Sequence, residues 1–493
     1  MLGTTFHEYI LIRLAILALQ YTTPLCLLAL ALLLLGGGQS ALASSLRTAL
    51  ISFSLIDIAY ALFIYYPYNR RLKEEARQPP PLSRAERRAI FKRCFAHIPD
   101  VERYVRLWFL GADLTEIRRE NLADFILWAF FDRAPGQESQ EDLAELNDYI
   151  DIIGDRLGRK VEPGRGKAEG LRLTLNEVET RYRSCLWILI IGLVDTYTHC
   201  RLACSGFQYY AQPRSTAFSV VPLRLQSLFA RHRSRSRELA YWYRPHTAKG
   251  KLPVVFLHGI GIGLYTYVPW LAKMKPPVNE DGQIGVIALE LLPVSFRLTK
   301  APLEKLEFLS QVEEILETHG WDRFVLATHS YGSFLGTHMI KSKTIGYRIE
   351  SVVLIDPVSI MLHLPDVAFN FTRRKPRKAN EWQLWYFASM DPGVAHALGR
   401  HFFWKENIIW KEELLARGGS KQRRVAVCLS ERDLIVDTIT IAEYLAGEED
   451  WERHLMKDGI EVFWSPGLDH AQVFEKKADE DRMASVVTRY CIE

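Results

Sequence analysis

Three side chains of the kinds that cooperate in nucleophilic catalysis lie at the ends of short apolar runs in the second half of this 493-residue chain. Ser330 closes RFVLATHS, Asp433 follows RVAVCLS, and His470 follows IEVFW within SPGLDHAQVF. A serine hydroxyl is a weak nucleophile until an imidazole accepts its proton, and a carboxylate that holds the imidazole completes the set. Gly332, just beyond Ser330, offers the position without a side chain that a sharp strand-to-helix turn needs. In such a turn the N–H of Tyr331 lies at a helix N-terminus, where it can stabilise an oxyanion. The glycine-rich run HGIGIG, residues 258–263, can bring a second N–H to the same place, and Ile260 is the expected donor. The chemistry these residues suit is two-step acyl transfer.

Other assignments compete at single positions. Asp437 and Asp356 are alternatives to Asp433 as the acid, and Asp469, the neighbour of His470, points elsewhere in this reading. His258 is expected to prop its loop rather than titrate in the reaction. GxGxG by itself is a weak dinucleotide signal, and the six-residue pattern is absent. The seven cysteines are scattered with no CxxC pair, so neither a disulfide framework nor a zinc site follows, and no metal or cofactor is expected. A net charge of +4 argues against a dedicated nucleic-acid binder.

The elements that must hold these residues are legible from about residue 237 onward. LPVVFLHG, IGVIALELL, RFVLATHS, SVVLIDP, RVAVCLS and IEVFW are short runs rich in Val, Ile and Leu, separated by helix-like stretches such as PLEKLEFLSQVEEILETH. Continuous apolar strands alternating with helices predict a mostly parallel sheet covered on both faces, with its chemistry at the carboxyl ends of the strands. The roughly 65 residues between SVVLIDP and RVAVCLS exceed a simple connection and predict a helical cap over about 360–423. Trp382, Trp385, Tyr386, Phe387, Phe402, Phe403 and Trp404 make that cap strongly apolar, either to hold it to the core or to line an acyl-binding pocket. Within it the run from Arg373 to Lys378 is basic, and Asn370-Phe371-Thr372 is a glycosylation sequon.

The N-terminus belongs to a membrane. Residues 14–37 and 48–67 are apolar enough to cross a bilayer as two helices, with Asp57 the one acid in the second. Ala41-Leu42-Ala43 would serve as a signal-peptidase site, but the first run is longer than a usual signal sequence and a second follows at once. Arg70, Arg71, Lys73, Arg77 and further basic residues follow the second run, whereas the spacer carries only Arg47, so the bulk of the chain is expected in the cytosol. Residues 84–235 read as helical, with CLWILIIGLV (185–194) a buried core helix too short to span, and Arg231, Arg233, Arg235 and Arg237 a basic knot suited to solvent or anionic lipid.

HGIGIG, THSYGS, SERD and GLDHAQVF, in that order, resemble the α/β-hydrolase superfamily over residues 237–493. More narrowly, the chain resembles membrane-anchored hydrolase-like proteins of fungi. The resemblance implies an α/β-hydrolase fold with a cap, preceded by a transmembrane hairpin (1–68) and a basic linker with a helical region (69–236). It implies Ser330, His470 and Asp433 as the catalytic triad and Ile260 and Tyr331 as oxyanion donors. Thr328 departs from it, standing where the family's G-x-S-x-G turn usually has its first glycine. The implied activity is hydrolysis of a carboxylic ester, with a lipid or other hydrophobic ester and the membrane as partners. Acyl transfer to another alcohol, thioester cleavage and a non-enzymatic lipid-binding role are the alternatives on the same frame.

Overall fold

Valine, isoleucine and leucine in unbroken runs make strands that are buried on both faces, and six of them form the centre of one sheet. The structure is a computed structural model and describes residues 2–35, 44–136, 138–274, 282–418, 421–447 and 455–492. The strands are β1 (Gln208–Ala211), β2 (His232–Arg233), β3 (Ala240–Arg244), β4 (Val254–Leu257), β5 (Val286–Glu290), β6 (Phe324–His329) and β7 (Ile349–Ile355). They continue with β8 (Ala416–Gly418), β9 (Lys421–Gln422), β10 (Arg424–Ser430), β11 (Leu455–Lys457) and β12 (Ile460–Ser465). The order across the large sheet is β11-β12-β10-β7-β6-β4-β5-β3-β1-β2, while β8 and β9 form a separate ribbon. From β12 to β5 all neighbours run parallel, and β3 and β11 pair antiparallel at the two flanks.

Side chains alternate between two cores, as the period of a strand requires. Val255 and Leu257 of β4, with Phe324 and Leu326 of β6, face the core shared with the cap. Val254, Phe256, Val325 and Ala327 face the other. The predicted cap is present as short helices, among them Pro365–Thr372, Ala379–Gln383 and Pro392–Arg400. It is not a free lid. Trp404 Nε1 donates to Ala129 O at 2.8 Å, Lys405 pairs with Asp132, and Arg103 forks onto Asp366, so the helical segment and the cap share one body.

The sheet begins earlier than residue 237. β1 and β2 extend its edge, and their few residues carried no long apolar run to announce them. Arg233 of the basic knot turns inward, donating to Ser227 O (2.7 Å), Leu228 O (2.8 Å) and Gln212 O (2.9 Å), rather than toward lipid or solvent.

The N-terminal hairpin consists of α1 (Phe6–Leu35) and α2 (Ser44–Tyr60), the latter continuing as helix to Arg71. The spacer between them and the Ala41–Ala43 site lie outside the described residues. Asp57 is fully buried; it receives the Thr23 hydroxyl of α1, and its Oδ1 accepts the Cys185 N–H at 2.8 Å. A buried carboxylate thereby ties both spans to the start of a third helix, where the unpaired N–H groups favour a negative charge.

That third helix, Cys185–Cys204, runs on past residue 194, and among the described residues it is one of three long and apolar enough to cross a membrane. Trp187, Ile191 and Leu202 are buried, while Leu189, Leu193 and Tyr197 are exposed, so it is not the enclosed core helix expected from its first ten residues. Asp195 does not end it because Arg224 (2.7 Å) and Arg297 (2.6 Å) neutralise the carboxylate, and Arg224 also forks onto Glu290 at the end of β5. Removing one cation from a buried cluster strands the charges that remain. Arg224→Ala is therefore expected to destabilise the protein by about 3–5 kcal/mol, read as a lowered unfolding temperature in detergent. Arg231→Ala, at an exposed position, should change stability by less than about 0.5 kcal/mol.

Candidate functional site

β6 ends at His329, and the chain reverses into the helix Gly332–Lys341 within two residues. Ser330 bridges them with φ +49°, a left-handed conformation that costs a residue with a side chain about 1–3 kcal/mol and is held here by bonds on both sides. Its N–H donates to Ile355 O at 3.1 Å and its carbonyl accepts the Ser333 N–H at 2.8 Å. A side chain at Gly332 would meet Leu257 O at 2.2 Å, so glycine is obligatory. Thr328 is accommodated from the helix side: a Cβ at Gly336 would lie 2.8 Å from the Thr328 methyl carbon. The room usually left by glycine on the strand is left here by glycine on the helix.

The structure brings Ser330, His470 and Asp433 into one line. His470 Nε2 lies 2.8 Å from Ser330 Oγ, and His470 Nδ1 lies 2.6 Å from Asp433 Oδ2. Asp433 is fixed by the N–H groups of Ile435 (2.8 Å) and Val436 (3.0 Å) on its other oxygen, and its carboxylate is fully buried. Asp437 instead caps the helix Thr438–Ala446. Asp356 accepts the Ser430 N–H (3.1 Å) and the Ala471 N–H (2.9 Å), which makes it a brace between β7, β10 and the His470 loop. Asp469 accepts the N–H groups of Leu434 and His470 and the side-chain amide of Asn380 at 2.7 Å.

Ile260 and Tyr331 flank Ser330 in a narrow apolar chamber of about 40 Å³ that also meets Phe334, Leu362, Phe402 and Trp404. Among the described residues no acceptor is assigned to either N–H. His258 is buried and neutral, held down to about 4 by burial; its Nδ1 bonds Gly259 O (2.7 Å) and its Nε2 accepts the Leu291 N–H (2.9 Å). Tyr267 went unread in the sequence. Its hydroxyl accepts the Gly259 N–H (3.1 Å) and bonds His329 Nδ1 (2.7 Å), tying the glycine-rich loop to the elbow. No motif marks it; its only signal is its place shortly after HGIGIG.

Ser330 and His470 also border a wide cavity of about 940 Å³, walled partly by Phe371 and Phe387 of the cap. The cap aromatics thus divide. Phe387, Phe402 and Trp404 face the chambers, whereas Trp382 lies under Arg13 and Tyr386 under Arg183. Asn370 of the sequon uses its amide to bond Ile435 O at 3.1 Å. Oxygen and nitrogen atoms of Asp356, Asp433 and His470 come within 4.8 Å of one another. Within this trio Asp356 accepts from Ser430 and Ala471, and Asp433 bonds His470.

Burial disfavours the His470 imidazolium, but Asp433, then Asp356 and Asp469, outweigh it and hold the group up to about 9. A general base must be neutral to accept a proton. The rate of serine labelling by a fluorophosphonate is therefore expected to rise about tenfold per pH unit below 9 and level off above it. Asp433→Asn should move that limb to lower pH and cut the plateau by about 10²–10⁴-fold; a rate that is flat between pH 7 and 9 would show that the neighbouring carboxylates do not hold His470 that high.

No family model and no curated protein matches the chain. Solved structures do. The carboxylesterase CesB from Bacillus subtilis is 12% identical, with a TM-score of 0.36 over 60% of this chain and 98% of its own. A bacterial membrane phospholipase A, described as a virulence factor, is 13% identical, with a TM-score of 0.37 over 62% and 92%. The esterase RhEst1 from Rhodococcus sp. ECU1013 is 17% identical, with a TM-score of 0.34 over 51% and 94%. The fold assignment rests on the strand order and the elbow: a mostly parallel sheet with antiparallel flanks, a strand–Ser–helix turn at its centre and a helical cap, which is the α/β-hydrolase fold.

Proposed function

We propose that this protein is a membrane-anchored serine hydrolase that cleaves a carboxylic ester of a lipid through an acyl-enzyme. One observation carries the reading: the Asp433–His470–Ser330 hydrogen-bond chain, at 2.6 and 2.8 Å, borders a cavity of about 940 Å³. Ser330 Oγ attacks the ester carbonyl while its proton passes to His470 Nε2, and Asp433 offsets the charge on the ring. The N–H groups of Ile260 and Tyr331 receive the oxyanion, each worth about 3 kcal/mol of barrier. The intermediate expels the alcohol with the proton from His470. Water, deprotonated by the same imidazole, then adds to the acyl carbonyl, and collapse returns Ser330 and releases the acid.

The narrow chamber beside Ser330 is only a few water volumes in size and almost wholly apolar, so the larger part of the substrate belongs in the wide cavity. Three apolar helices support anchoring, and the lipid nature of the substrate follows from that setting. The basic residues after α2 support a cytosolic hydrolase domain. The Asn380 N–H of the cap donates to Gly3 O, which supports a start of α1 on that same side.

Ser330→Ala and His470→Ala are each expected to abolish fluorophosphonate labelling and ester hydrolysis in solubilised membranes while leaving the protein folded. Persistent labelling of Ser330→Ala would place the nucleophile elsewhere. Protease added to sealed, cytosol-side-out vesicles should remove a C-terminal tag; protection of the tag would reverse the orientation.

A further inference from the structure

The wide cavity has two walls that do not come from the hydrolase sheet or its cap. α1 contributes Leu11, Ile12 and Ala15, and the Cys185–Cys204 helix contributes Trp187, Tyr197 and Arg201. These are two of the three helices long and apolar enough to cross a membrane. Their outward faces carry exposed apolar side chains, Leu14 and Leu17 on α1 and Leu189 and Leu193 on the other helix, which suit hydrocarbon.

Exposure locates the mouth. Leu11 lines the cavity yet is 61% exposed, and Tyr197 lines it at 54%. Ile12, one residue from Leu11, is buried, so the boundary between cavity wall and outer surface runs along α1 at this turn. The Tyr197 ring packs on Tyr265 of the segment after the glycine-rich loop, centroids 6.1 Å apart. Of the acidic residues and arginines lining the cavity, Arg201 and Glu475 are exposed and Glu480 is buried. Leu11 and Ala15 stand about 8–14 Å along α1 from its start, which places the opening at the end of the span nearest the hydrolase domain.

The wall is fixed to the site. The Leu2 N–H donates to Gln383 Oε1 at 2.7 Å, the Asn380 N–H donates to Gly3 O at 3.2 Å, and the Arg13 guanidinium lies 3.8 Å above the Trp382 ring. Asn380 in turn holds Asp469, the neighbour of His470.

We propose that the gap between α1 and the Cys185–Cys204 helix is a lateral entry through which a long-chain lipid ester passes from the bilayer to Ser330. Its acyl chain stays against Leu11, Ala15 and Trp187, and its polar part lies toward Arg201 and Glu475. α1 is then a wall of the substrate site as well as an anchor. The proposal rests on the serine hydrolase reading, and its test separates the two.

Full-length protein in phosphatidylcholine vesicles would be given 4-methylumbelliferyl oleate, which resides in the bilayer, and p-nitrophenyl acetate, which is water-soluble. Ala15→Trp fills the entry, and the ratio of oleate to acetate turnover is expected to fall at least about tenfold. Leu14→Trp, on a face that is 60% exposed, should leave both rates unchanged. An unchanged ratio in Ala15→Trp overturns the entry. A second measurement does not depend on how that variant folds. In Ser330→Ala protein, a diazirine-bearing oleoyl ester in the vesicle should crosslink to peptides containing residues 11–15 or 187–197. Crosslinks confined to the rest of α1 and α2 overturn the proposal. Wild-type protein that turns over neither ester and takes no fluorophosphonate overturns the hydrolase reading itself.

Discussion

A strand that must become a helix within two residues governs the rest of this molecule. The reversal forces Ser330 into a left-handed conformation, which lifts its hydroxyl off the sheet and puts the Tyr331 N–H at a helix start. It is possible only because Gly332 has no Cβ, which would lie 2.2 Å from Leu257 O, and because Gly336 leaves room for Thr328. Every other part of the site is arranged around this fixed point. β4 ends beside it with the glycine-rich loop, and β10 and β12 end where Asp433 and His470 can reach it.

Around that point three side chains are committed to fixed hydrogen bonds. Asp356 uses both oxygens on backbone N–H groups, Asp469 accepts three bonds, and Tyr267 joins the glycine-rich loop to His329. Such committed groups hold Ser330, His470 and Asp433 in a preformed arrangement, the kind that needs no reorganisation to stabilise developing charge. They also surround His470 with carboxylates, and this is the physical origin of its raised proton affinity.

The same economy of buried charge joins the long apolar helices to the sheet and its cap. Asp57 would be costly in hydrocarbon, yet it binds the first span and the start of the third helix at once. Asp195 would interrupt the third helix's apolar face, yet two arginines hold it against the end of β5. Through Gly3, Asn380 and Asp469, bonded contacts run from the first residues of the chain to the loop that carries His470. The N-terminal helices, the cap and the site are one packed unit rather than beads on a linker.

By itself the sequence determined what local patterning can determine. The six parallel strands were legible because strands buried on both faces read as continuous apolar runs. Ser330, Asp433 and His470 stood out as candidates because each closes or follows such a run, and two apolar stretches of span length stood out in the same way. The tertiary structure alone decided the rest. The edge strands β1 and β2 are too short to carry a pattern and exist only by pairing with β3 and with each other. The third helix passes Asp195 only because Arg224 and Arg297, 29 and 102 residues away, neutralise it. α1 reaches the site only because the cap, 381 residues from Leu2, receives its first turn. In each case the deciding partner is distant in the chain, and periodicity reports only on neighbours.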